Sequence, residues 1–130
     1  MRSTPSVLRP WNAYFASGLN DAEHHEVLSR DGLRLSLRHV HGDGPAVMLL
    51  HGLGANSHTF HFPGRSLAYW LADSGFDVWI PELRGHGTSE RREFDWGIDE
   101  YLERDLPPII EEILRLSGRT ELHWIGHSMG

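Results

Sequence analysis

A serine held between two glycines is the strongest chemical signal in this chain. Gly126-His127-Ser128-Met129-Gly130 follows the Gly-x-Ser-x-Gly pattern, in which a sharp turn at the end of a strand lifts a hydroxyl clear of the sheet. Gly126 and Gly130 avoid the clash that a β-carbon would cause at the flanks of such a turn. An ordinary glycine–serine loop can carry the same letters. Placement separates the two readings, because the pentapeptide directly follows the strand-like run Glu121-Leu122-His123-Trp124-Ile125. A nucleophilic serine attacking a carbonyl generates an oxyanion, which two aimed backbone N–H groups can stabilise by a few kcal/mol, roughly 3–4 where one donor has been removed and measured. His51-Gly52-Leu53-Gly54, also directly after a strand-like run, offers one donor at Leu53, and Met129 offers the other. Gly52 would equally serve simply to turn the chain out of a sheet.

The elements that must position these groups are legible from their periods. Glu26–Arg30 and Leu33–Arg38 read as two strands joined by a two-residue Asp31-Gly32 turn, an antiparallel hairpin at a sheet edge. Leu33, Leu35 and Leu37 alternate with Arg34, Ser36 and Arg38, the period of a strand with one wet face. Ala46-Val47-Met48-Leu49-Leu50 is apolar without alternation, as a central strand covered on both faces should be. A helix is expected over about Ser66 to Ser74, with Leu67, Trp70 and Leu71 on its inner face and Gly75 as its stop. Phe76–Ile80 is another strand, followed by the loop Arg84-Gly85-His86-Gly87. A long helix from about Asp99 to Leu116 would bury Leu102, Leu106, Ile109, Ile110, Ile113 and Leu116, with Pro107 and Pro108 delaying or kinking it and Gly118 ending it. Hairpin, strand, helix, strand, helix, strand predicts an α/β fold with a mostly parallel sheet covered by helices. Residues 1–22 are rich in turn formers and read as an irregular arm, and 23–130 as one incomplete domain, since no helix follows the last strand.

Composition narrows the partners. Twelve basic residues against eighteen acidic ones give a net charge of −6, which opposes a nucleic-acid footprint. There is no cysteine, so disulfides and thiolate metal sites are excluded. Met1–Asn20 has no continuous apolar core of a signal peptide, being broken by Pro5, Pro10, Asn12 and Ser17, and no run approaches a membrane span; a cytoplasmic location is expected. Of ten histidines, His39, His41, His51, His58 and His61 cluster in sequence, and His39 and His41 would share a strand face. Neither an aspartate nor a cysteine joins them at metal-ligand spacing, so neither a metal nor a cofactor is expected.

The ordered set His51-Gly52-Leu53-Gly54, Glu82-Leu83-Arg84-Gly85-His86-Gly87-Thr88-Ser89 and Gly126-His127-Ser128-Met129-Gly130 resembles the α/β-hydrolase superfamily over about residues 26–130. Asp105-Leu106-Pro107 and Leu122-His123-Trp124-Ile125 are similar to its lipase and esterase branches. One departure is Glu82, where the family often has aspartate two positions before the arginine; it bears on the packing of that loop and not on the serine. The resemblance implies an α/β-hydrolase fold and a serine hydrolase of small-molecule carboxylic esters, with Ser128 as nucleophile and Leu53 and Met129 as oxyanion donors. In this family the triad acid and histidine follow the serine, so Asp95, Asp99, Asp105 and His127 are not assigned to it, and the chain is expected to be the amino-terminal half of a longer enzyme, inactive alone. The alternative is an inert remnant that binds or self-associates, with Leu122–Ile125 as an exposed apolar edge.

Overall fold

In the computed structural model, the structure describes residues 22–62, 65–93 and 95–130; the arm expected over 1–22 lies, Ala22 apart, outside them. Among the described residues five strands form one sheet: β1 (Glu23–Leu28), β2 (Arg34–Val40), β3 (Ala46–Leu50), β4 (Asp77–Pro81) and β5 (His123–Gly126), in the order β1-β2-β4-β3-β5. The sheet is mixed. β2 runs antiparallel to both β1 and β4, whereas β3 is parallel to its neighbours β4 and β5.

The alternation along β3 explains its unbroken apolar sequence. Ala46, Met48 and Leu50 enter one core with Leu33, Leu35, Leu37, Trp79, Ile109 and Ile113, while Val47 and Leu49 enter a second with Val78, Ile80, Ala68 and Leu71. A helix covers each face. On one side lies α1 (Leu67–Asp73), capped by Ser66, whose Oγ accepts from the Tyr69 N–H at 3.2 Å. On the other lies α2 (Leu106–Ser117), closed by Gly118 at φ 70°. Among the described residues no helix is long and apolar enough to cross a membrane.

Three expectations need correction. The hairpin pairs Leu28 with Arg34, so five residues, not two, separate the strands, and the register differs by one from that of an Asp31-Gly32 two-residue turn. Side chains shape this wider loop: Ser29 Oγ accepts from the Leu33 N–H at 2.8 Å and donates to Asp31 at 2.6 Å. In α1 the inner face is Ala68, Tyr69, Leu71 and Ala72; Trp70 is 49% exposed and Leu67 is exposed too, because the small alanines let the helix lie close to the sheet. Ahead of α2 the helix winds as a π segment (Tyr101–Asp105), preceded by a single α turn (Ile98–Glu100). The Leu106 N–H bonds to the Tyr101 carbonyl, five residues back, so Tyr101 takes the core position that a four-residue step assigns to Leu102, which is 57% exposed. Leu116, near the other end, is likewise exposed. Pro107 and Pro108 lack the N–H groups that would close α-type bonds to Glu103 and Arg104, and the freed Arg104 carbonyl accepts from the Arg30 N–H at 2.9 Å instead.

One ion-pair cluster joins hairpin, loop and helix. Arg84, nearly fully buried, directs Nη2 to Asp105 at 2.7 Å and to Asp31 at 2.7 Å, while Asp105 also accepts from the Arg84 backbone N–H at 3.0 Å. Hydrogen bonds from Arg84 hold the Asp31 carboxyl well below the usual carboxylate range, against the opposing effect of burial. Asp105 is 0% exposed, so removing it strips the buried guanidinium of its fully buried carboxylate partner and leaves the backbone N–H of Arg84 without its acceptor, Asp31 alone remaining. Asp105→Ala is expected to cost about 3–5 kcal/mol in urea unfolding at pH 7. For Asp31, a folded pKa below the unfolded one gives stability that is present above the ordinary value of 3.8 and lost as pH falls through the folded value. The stability gap between the parent and Asp31→Asn should therefore narrow on acidification below about pH 4.

Candidate active site

The crevice follows from topology. The crossover leaving β3 leads to β4 on one side, and the crossover leaving β4 passes back over β3 to β5 on the other, so the direction of winding reverses at β3. Ligands in open α/β sheets bind at such a switch point. Leu50 and Gly126 face each other across that parallel pair, and the segments His51–Gly54 and Gly126–Gly130 emerge there together.

Ser128 sits at φ 57°, the sole positive value at a non-glycine position among the described residues. An L-residue held there costs roughly 1–2 kcal/mol, so its surroundings must over-determine it. They do so with backbone contacts. The His127 N–H donates to the Leu50 carbonyl and the Gly130 N–H to the His127 carbonyl, both at 3.0 Å. A β-carbon on Gly126 would lie 2.1 Å from the Gly130 carbonyl carbon, and one on Gly130 would lie 2.2 Å from the Leu50 oxygen. A β-carbon on Gly52 would meet Ser128 Cβ at 2.8 Å and its Oγ at 3.4 Å, which places the two loops in direct contact. Ser128 and Leu53 are exposed and Met129 is half-buried. His127 is exposed and does not pack in the core.

Two histidines fasten the His51–Gly54 loop to the loop that follows β4. The His51 ring is buried; its Nε2 accepts from the Leu83 N–H at 3.0 Å and its Nδ1 donates to the Gly52 carbonyl at 2.8 Å. His86 repeats the pattern, with Nε2 accepting from the Gly54 N–H at 3.0 Å and Nδ1 donating to the Arg84 carbonyl at 2.9 Å. Both rings are therefore neutral Nδ1–H tautomers. Because a trans peptide is planar, tying down the Gly52 carbonyl turns the Leu53 N–H of the same peptide the opposite way. Neither clamping role is visible in sequence spacing, since each bond joins residues 32 apart.

Glu82, the departure from the family pattern, is buried and organises its loop. It accepts from the Ser57 N–H at 3.0 Å and from the Thr88 N–H and hydroxyl at 3.1 Å. Burial pushes its carboxyl up, but these hydrogen bonds outweigh it and hold the group below its ordinary value. Beside the elbow lies a cleft of about 760 Å³ lined by Leu53, Trp96, Ile98, Tyr101 and Met129 together with loop residues of both segments. A smaller apolar cavity of about 260 Å³ adjoins it beneath Met129, lined by Leu102, Leu106 and Trp124. The histidines expected to carry no metal divide: His51 and His61 are buried in the fold, His58 bonds Asn56, and tertiary structure brings Asp77 and Glu23 to His39, which spacing along the chain could not show.

With this geometry in view, the chain can be set beside known proteins. A family model described as alpha/beta hydrolase fold matches residues 45–130, and the chain belongs to that family. It is similar to human gastric triacylglycerol lipase, 34% identical over 83% of this chain and 32% of that protein. It is also similar to a crystal structure of an alpha/beta hydrolase from Novosphingobium aromaticivorans, at 34% identity and a TM-score of 0.69, over 84% of this chain and 36% of that one. The epoxide hydrolase VrEH1 from Vigna radiata shares the fold at 26% identity and a TM-score of 0.61, over 86% of this chain and 33% of that one. The chain spans about a third of the length of the curated relatives it matches.

Burial first, and the nearby His86 after it, push the His51 pKa down, partly offset by its bond to the Gly52 carbonyl. A histidine whose folded pKa lies below its unfolded value stabilises the fold fully only above the unfolded value, 6.5, and that stability is lost as pH falls beneath it. Urea midpoints should therefore drop between pH 7.5 and pH 5.5, and the drop should be smaller in His51→Asn. An equal drop in both would remove His51 from the account.

Proposed function

We propose that the protein carrying this chain is a serine hydrolase of carboxylic esters that works through an acyl-enzyme. The observation that carries the reading is the strained, exposed Ser128 in contact with Gly52, the residue preceding the expected oxyanion donor Leu53. Ser128 Oγ attacks the ester carbonyl carbon and passes its proton to a general base. The Leu53 and Met129 N–H groups hold the resulting oxyanion, His51 acting as the positioning residue for the first of them. Collapse breaks the bond to the alkoxy oxygen, which leaves as the alcohol with the base's proton, and water then releases the acid. The base is neither His51 nor His86, whose ring nitrogens are both engaged. In this fold it follows the serine in chain order, together with its acid partner.

A serine favours acyl transfer over epoxide opening for a chemical reason. Attack on an epoxide by an alkoxide leaves an ether that water does not cleave, whereas a carboxylate nucleophile leaves a hydrolysable ester. The apolar cavity beneath Met129 suits the acyl or alkyl chain of an ester. The alternative of an inert chain acting through binding draws on β5, an edge strand whose Trp124 and Ile125 are exposed.

In the full-length protein, Ser128→Ala is expected to abolish hydrolysis of a chromogenic ester and labelling by a fluorophosphonate, with the melting temperature nearly unchanged. Turnover that survives would unseat the nucleophile. Gly52→Ala, which crowds Ser128, should lower kcat roughly 10²–10³-fold, the scale of losing one oxyanion donor.

A further inference from the structure

At the end of the sheet remote from any role in the ester chemistry, the strand register gathers a second set of ligating atoms. Glu23 and His25 project from the same face of β1, two residues apart, and Glu23 lies directly opposite His39 on β2. Glu23 Oε2 is 3.3 Å from His25 Nε2 and 3.4 Å from His39 Nδ1, and the three ligand atoms all fall within 4.8 Å of one another.

We propose that Glu23, His25 and His39 form a binding site for one divalent metal ion of the zinc class, with water completing the coordination. Bond lengths of 2.0–2.2 Å to nitrogen and oxygen in a tetrahedral shell separate neighbouring ligand atoms by about 3.3–3.5 Å. The two spacings to Glu23, 3.3 and 3.4 Å, already match that edge. The other possible trio, His39, His41 and Asp77, does not, because His39 Nε2 and Asp77 Oδ1 are only 2.5 Å apart, a hydrogen bond rather than two ligands of one ion.

That hydrogen bond strengthens the proposal. A ligating histidine usually donates its other ring N–H to a carboxylate, which sets the tautomer and the direction of the free lone pair. Asp77 is buried and anchored by the Trp79 Nε1–H at 2.9 Å and the Gly42 N–H at 3.1 Å. The His39 ring is stacked on Trp79, with centroids 3.7 Å apart and planes 5° from parallel. With Nε2–H given to Asp77, His39 turns Nδ1 toward Glu23 without further rearrangement. The ion would join β1, which among the described residues pairs with β2 alone, to the rest of the sheet.

Titration calorimetry with zinc chloride, together with the visible absorption of bound cobalt(II), tests this in the Ser128→Ala protein, so that ester hydrolysis has no part in the result. The expected outcome is one ion per chain. Glu23→Gln and His25→Gln, both accessible to solvent, should each weaken binding at least tenfold, and Asp77→Asn by about 10–100-fold. His123→Gln on β5, away from the cluster, should change nothing. The proposal is overturned by the absence of saturable binding, by a Glu23→Gln or His25→Gln variant that binds as tightly as the parent, or by equal weakening in His123→Gln.

Discussion

Close approach of backbone to backbone at the ends of β3 and β5 is the constraint on which the rest of this structure depends. Gly130 packs against the carbonyls of Leu50 and His51, Gly126 packs against Gly130, and Gly52 packs against Ser128, all at separations a β-carbon would violate. Because these contacts are made chiefly by main chain and by the Ser128 β-carbon, they depend little on side-chain rotamers. They hold Ser128 at a φ that it would not adopt by itself. The serine's exposure and its nearness to the first loop are thus two consequences of one packing arrangement.

The parts around that contact are held by polar groups that would be expensive to bury alone. Arg84 lies between Asp31 and Asp105, Glu82 collects three donors, and His51 and His86 each accept one N–H and donate to one carbonyl. Each group finds partners inside the fold, which is what allows a loop rich in charge to sit there. The π segment belongs to the same economy of satisfaction. Two prolines deny the helix its regular bonds, the winding loosens by one residue, and a freed carbonyl is taken up by the hairpin loop at Arg30. Tyr101 is thereby brought to the core and its neighbour Leu102 to the apolar cavity near the elbow.

Elements with a strong local period were legible. The unbroken apolar run Ala46–Leu50 predicts a doubly covered strand, and its residues divide alternately between the two cores. The elbow pentapeptide is legible because the need for its glycines is local and steric. Faces were harder. Helical spacing points Trp70 and Leu102, large and apolar, to the inside, but α1 packs through its alanines and the π turn shifts the phase before α2. The hairpin register failed for a related reason, since the Asp-Gly dipeptide favours a tight turn but the Asp31 carboxylate is drawn to Arg84.

What the sequence determined by itself is therefore the order of strands and helices, the family, and the serine, glycine and loop positions at the crevice, because each follows from periods and short motifs within a few residues of one another. Tertiary structure alone decided the partners: His51 with Leu83, His86 with Gly54, Arg84 with Asp105, and His39 with both Glu23 and Asp77. Those pairings span 16 to 38 residues. A side chain's hydrogen-bonding capacity can be read from its type, but the atom that meets it is chosen only when the strands have registered and the loops have closed over them.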